Sequence, residues 1–159
     1  MQNLTYQKCI TSFLDASETI LKFFSFNIQK IEQIEDEQID SILKPELAVF
    51  IGISGNPNGN LSLEMDNHTA LEIVSLMNNT SHSDFSAMAF GSLNELANQI
   101  AGKAITIISS YEYNSYITPP LIIKGKNFML QQLDNDNLSI HKIDTDIGQL
   151  WLKLFLKLD

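Results

Sequence analysis

At 159 residues, with 44% apolar and 18% charged side chains, the chain has the make-up of one globular domain, residues 1–159, with a real core. Asp plus Glu exceed Lys plus Arg by 19 to 10, a net charge of −9, which argues against nucleic acid as a partner because a phosphate backbone would be repelled. No apolar run reaches transmembrane length, and the first residues lack a basic segment followed by an apolar stretch. A soluble, unexported, cytoplasmic protein without membrane partners is expected.

In chain order, Ile10, Phe13, Leu14, Leu21 and Phe24 recur at three- and four-residue steps and predict an amphipathic helix from about Thr5 to Phe26. Cys9 falls within it, the sole cysteine, so an intrachain disulfide is excluded and a buried thiol is expected. The segment from Ile28 to Pro45 sets Ile28, Ile31 and Ile34 among charges and reads as an edge strand followed by a polar loop. Residues 46–55 and 60–66 are β-prone runs separated by Gly55-Asn56-Pro57-Asn58-Gly59, turn chemistry that makes them an antiparallel hairpin. Thr69, with Glu72 three residues on, predicts a capping box opening a short helix that ends near Asn78 or Asn79.

Ser83 or Asp84 is the expected cap of the next helix, which runs through Phe90 and Leu96 towards Ile107 and is second in length to the first. After it comes a tyrosine-rich loop, where Pro119-Pro120 excludes helix and favours an extended edge. The carboxy-terminal region predicts a hairpin: residues 137–144, a turn at Thr145-Asp146-Ile147-Gly148, and a strand in which Leu150, Leu152, Leu154 and Leu156 form the core face. The sum is an α+β domain, a mostly antiparallel sheet with two long helices and a short helix packed on it.

The helix from residue 84 onwards raises a question. At 100° per residue, Leu93, Leu96, Ala97, Ile100, Ala104 and Ile107 fall on one side, while Gly91, Glu95, Asn98 and Gly102 fall on the other. A glycine inside a helix costs about 1 kcal/mol relative to alanine, so glycines flanking Glu95 and Asn98 need a reason. Two readings stand on spacing alone: a solvated face on which the pair is incidental, or a low floor presenting an acid and an amide to a docked partner.

Residues 94–104, Asn-Glu-Leu-Ala-Asn-Gln-Ile-Ala-Gly-Lys-Ala, followed about twenty residues later by Tyr-Ile-Thr-Pro-Pro-Leu-Ile-Ile-Lys-Gly, resemble the CheX/CheC/FliY family of bacterial chemotaxis phosphatases, and CheX in particular. That family has a helical Glu-x-x-Asn motif, a small residue after it and a downstream proline, and the order of predicted elements matches over most of the chain. The resemblance implies hydrolysis of the phosphoaspartate of a CheY-like response regulator in chemotaxis or a related two-component pathway. Glu95 and Asn98 would be catalytic: Asn98 orients a water for in-line attack and Glu95 pairs with the regulator's active-site lysine. Gly91, Ser92, Gly102, Pro119 and Pro120 would contact the partner; the family often has Asp or Ser where Gly91 stands, with Ser92 adjacent, and a slightly longer spacing to the proline. Mg²⁺ is expected on the regulator, so this chain needs no metal site and no bound cofactor. The resemblance also implies a homodimer, for which the edge strand before Pro45 is available. The first helix has Asp15 and Glu18 without a matching Asn, so one active surface is expected.

Other constellations point to no chemistry. His68, His82 and His141 have no ligand spacing. Asp134-Asn135-Asp136-Asn137 lacks the glycine and glutamate of a calcium loop and reads as a hairpin turn. The glycines of residues 52–59 precede no helix and no phosphate-binding lysine. Tyr111, Tyr113 and Tyr116 are either a docking surface or a cover for the loop beneath them. The alternative function is a non-catalytic interaction module that binds a receiver domain or a flagellar-switch component.

Overall fold

The computed structural model describes residues 2–35, 38, 44–130 and 136–159. Helix α1 spans Gln2–Phe23, α2 Asn67–Asn78 and α3 Ala87–Ser109. The strands are β1 Ile28–Gln33, β2 Leu47–Gly55, β3 Asn58–Met65, β4 Ser115–Ile117, β5 Leu121–Lys124, β6 Leu138–Thr145 and β7 Gly148–Lys157. They form one sheet in the order β1-β6-β7-β3-β2-β4, with β5 also paired to β2, and every pairing is antiparallel. The α+β architecture is the one expected from the sequence, and β1 is an edge strand. Most of the polar loop predicted after it, like the start of the 134–137 turn, lies outside the described residues.

The helix ends differ from those the sequence predicts. α1 stops at Phe23 and not at Phe26, because Ser25 turns left-handed (φ 67°) while its N–H and that of Phe26 reach back to the carbonyls of Lys22 and Leu21. Phe26 is freed to enter the core. α2 is capped by Asp66, whose carboxylate accepts from Thr69 N at 2.7 Å, and not by Thr69. A carboxylate at the positive end of a helix is favoured over a hydroxyl. Thr69 is instead buried against Gly148, where a Cβ would collide with it.

α3 is capped by Ser86, accepting from Ala89 N at 3.2 Å, rather than by Ser83 or Asp84. What shifts the start is a hydrophobic staple: Phe85, just before the cap, stacks on Phe90 with ring centroids 5.5 Å apart. Lys124 of β5 lies over the Phe85 ring, 4.7 Å from its centroid, so the beginning of α3 is fastened to the sheet edge. At 23 residues α3 is slightly longer than α1, at 22.

The helices bury their apolar stripes against one sheet face, where Leu150, Leu152, Leu154 and Leu156 meet Leu47, Val49, Ile51, Leu61 and Leu63. Leu93, Leu96, Ala97, Ile100 and Ala104 of α3 join this core as predicted, but the last turn inserts Ile108, with Ile107 only half-buried. The stripe drifts because 3.6 residues per turn outruns a fixed three-four spacing. The opposite face is not simply solvated: Trp151, Ile34 and Ile140 form a second small cluster, and Glu64 and Lys153 are buried there as well.

Candidate functional site

The site is built where α3 passes the broken edge of the sheet. β4 and β5 pair with the two ends of β2, Ile53–Gly55 and Leu47–Phe50 respectively, and the chain between them, Thr118-Pro119-Pro120, leaves the ladder. Proline has no N–H to donate, so the interruption is dictated by sequence. Thr118 repairs it: its N–H reaches Gly52 O at 2.9 Å and its Oγ1 accepts from Gly52 N at 2.8 Å. Gly52 lacks a side chain for the same reason, since a Cβ there would lie 3.1 Å from Thr118 Cγ2. The two prolines are thereby held out as a wall facing α3.

Between that wall and the helix lies an open groove of about 460 Å³, lined by Gly91, Asn94, Glu95 and Asn98 on one side and Ile117, Thr118, Pro119 and Pro120 on the other. Glu95 is exposed, and its Oε1 accepts from Gln99 Nε2 at 2.6 Å. Asn98, one turn on, is half-buried. A Cβ built on Gly91 meets nothing within 4 Å, so the missing side chain leaves open space at the groove and relieves no internal clash.

Of the residues singled out from sequence, Gly91, Glu95, Asn98, Pro119 and Pro120 come together here. Ser92 does not: its hydroxyl takes a hydrogen bond from Asn78 Nδ2 at 2.8 Å and donates to Met88 O at 3.1 Å, tying α3 to α2. Gly102 lies beyond the groove, also facing open space. Tyr113 packs on the core, Tyr111 lies beneath Lys8 Nζ at 5.6 Å, and none of the tyrosines lines the groove. Asn94 and Thr118 were missed. Asn94 had a signal, since Asn94 and Asn98 are four apart and so stack on one helix face, whereas Thr118 acquires its place only through contact with Gly52, 66 positions away.

Chemically the groove offers acceptors and amides but no cation from its lining residues. Among the described residues no group of three or more His, Cys, Asp or Glu could hold a metal ion. His141 is buried under α1's side of the sheet with Nε2 2.7 Å from Ser139 Oγ, and burial holds its pKa below the ordinary value. No described helix is long and apolar enough to cross a membrane.

Residues 47–143, more than half of the chain, match the family model described as Chemotaxis phosphatase CheX. The chain belongs to the CheX family. The matched segment runs from β2 into β6 and includes every residue of the groove. Solved structures agree on the fold of this CheX-family domain. A CheC-like superfamily protein from Shewanella sp. PV-4 superposes with a TM-score of 0.80 at 21% identity, covering 98% of this chain and 99% of that one. CheX from Vibrio vulnificus gives 0.80 at 20% identity, covering 94% and 99%. CheX of Borrelia burgdorferi, in a complex with CheY, BeF₃ and Mg²⁺, gives 0.77 at 23% identity, covering 93% and 97%. No curated protein sequence matches the chain.

Proposed function

We propose that this chain is a phosphatase that removes the phosphoryl group from the aspartate of a CheY-like response regulator. The observation that carries the reading is that Glu95 and Asn98 line one solvent-open groove on consecutive turns of α3, opposite a wall made by Pro119 and Pro120. Membership of the CheX family and the Borrelia burgdorferi CheX–CheY complex supply the partner class.

An acyl phosphate is already reactive, so acceleration requires mainly positioning and electrostatics. Asn98 can donate to and accept from a water without ionising, which suits it to hold that water in line with the P–O bond of the phosphoaspartate. Water attacks phosphorus, the aspartate oxygen leaves as carboxylate, and inorganic phosphate is released. Glu95 contributes an acceptor for the ammonium of a receiver lysine, and a groove without cations of its own leaves phosphate charge to be balanced by the receiver's lysine and Mg²⁺. Gly91, Pro119 and Pro120 shape the surface on which the receiver's loops rest.

The deciding experiment mixes the purified chain with a phosphorylated receiver and Mg²⁺ and follows phosphate loss. Acceleration by the wild-type chain is expected; phosphorylation-dependent binding with an unchanged phosphate lifetime would instead establish the non-catalytic interaction module. Self-association is part of the proposal, because among the described residues β1 pairs only with β6, which leaves its other edge available to a second copy. Sedimentation at micromolar concentration should return a dimer, and only monomer would remove this element.

A further inference from the structure

The carboxylate of Glu95 is held from outside the groove. Gln99, one turn further along α3, donates from Nε2 to Glu95 Oε1 at 2.6 Å, yet it does not line the groove itself. It is half-buried, whereas Glu95 is exposed. By helical geometry Asn98 lies about 60° to one side of Glu95 and Gln99 about 40° to the other. The two amides therefore flank the acid, and the bond goes to the one away from the groove.

That direction matters because residues three apart on a helix are neighbours. An untethered Glu95 carboxylate can turn to Asn98 and accept from its Nδ2, and in that arrangement the acid and the amide occupy each other. Asn98 then offers less to a water, and Glu95 less to an incoming ammonium. The bond to Gln99 draws the carboxylate the opposite way and leaves the Asn98 side chain with no hydrogen bond among the described residues. It costs Glu95 little as an acceptor, since a carboxylate has about four lone-pair sites.

We infer that Gln99 is a positioning residue for Glu95: its Nε2–H holds the carboxylate away from Asn98, so that the acid stays open to a receiver's ammonium and the amide to the hydrolytic water. The inference rests on the phosphatase reading and deepens it. Gln99 acts only through Glu95, and an acid ordered before the receiver arrives loses less side-chain freedom on docking.

The test uses Gln99→Met, which keeps the length of the side chain and removes the donor, alone and combined with Glu95→Ala. Two quantities are read: the Kd for a receiver loaded with beryllofluoride and Mg²⁺, and the dephosphorylation rate when the chain saturates the phosphorylated receiver. The single variant should lower the saturated rate about threefold and raise the Kd about threefold. Its melting temperature should stay close to wild type, because a polar pair on the surface of one helix adds little stability. With Glu95 already replaced by alanine, Gln99→Met should change neither quantity, since no carboxylate remains to be steered. A wild-type saturated rate in the single variant, or equal losses in both backgrounds, would overturn the assignment while leaving the phosphatase reading standing. A wild-type chain that does not speed phosphate loss would overturn both.

Discussion

Two glutamates in this molecule sit among polar neighbours, and they could hardly be treated more differently. Glu64, on the sheet face away from the helices, is fully buried; Ser62 Oγ donates to its Oε1 at 2.9 Å, and Lys153 Nζ stands 3.2 Å from Oε2 without the alignment of a hydrogen bond. Burial drives its carboxyl upward in pKa, with Lys153 and Ser62 opposing. Glu95 stands in water on α3, held only by a neighbour one turn away. A strongly perturbed acid is often taken as the mark of an active site. Here the perturbed one is internal to the fold, and the exposed one belongs to the groove, as suits a group that must meet a partner's charge.

The largest expected effect breaks the buried side of that comparison. Glu64→Leu leaves Lys153, whose side chain is 10% exposed, without its counter-charge and should lower stability by about 3–5 kcal/mol in urea unfolding. Adding Lys153→Met should recover most of it, since a matched apolar pair needs no desolvation of charge. Both proteins should dephosphorylate a receiver normally per folded molecule; loss of hydrolysis in the stable double variant would make the back of the sheet part of the site.

Asn98→Ala addresses the other side. It should slow phosphate loss about a hundredfold, equivalent to about 2.7 kcal/mol, with an unfolding midpoint close to wild type because Asn98 is only half-buried. A midpoint that falls with the rate would place Asn98 among structural residues and erase the contrast with Glu64.

Mild acid separates the regions by a third route. His141, kept below its ordinary pKa of 6.5 by burial, takes up its proton on unfolding, so its contribution is intact above that pH and is lost as pH falls below it. The slope is at most about 1.4 kcal/mol per pH unit. Glu64, shifted upward, has the opposite sign and gains as pH falls through its raised value. The difference between wild type and His141→Gln across this range isolates the histidine. A difference independent of pH would contradict a buried neutral ring.

The smallest effect concerns the glycines. Gly91→Ala and Gly102→Ala both place a methyl group in open space and should each stabilise α3 by up to about 1 kcal/mol. Only Gly91 lines the groove, so only Gly91→Ala should weaken receiver binding. Equal weakening by both would extend the docking surface along the whole helix.

How far the site could be read in advance follows from the range of the forces involved. The Glu95–Asn98 stripe was legible because helical periodicity is local and α3 keeps it, and the hairpins were legible from Asn56-Pro57-Asn58-Gly59 and from the alternating leucines of β7. Gly102 shares the stripe's spacing but not the groove, because the wall opposite is only a few residues long and faces only part of the helix, while Ser92, about 100° round from Gly91, turns to α2. Caps were misplaced by two or three residues where other contacts outweighed the nearest polar side chain, a tertiary one for Thr69 against Gly148 and a local staple for Phe85 on Phe90. The polar interior behind the sheet had no local signal: Glu64 and Lys153 meet through the pairing of β3 with β7, with Ser62 opposite Lys153 in the register.

The Pro119-Pro120 break has a bearing on assembly as well as on catalysis. An interrupted rim offers no continuous template on which another chain could hydrogen-bond, whereas β1 at the far side runs from Lys30 to Gln33 in one register after a shift between Ile28 and Lys30. In the proposed dimer, copies joined margin to margin through β1 would turn only interrupted rims outward among the described strands, so that accretion would halt at a closed pair instead of propagating into a fibre.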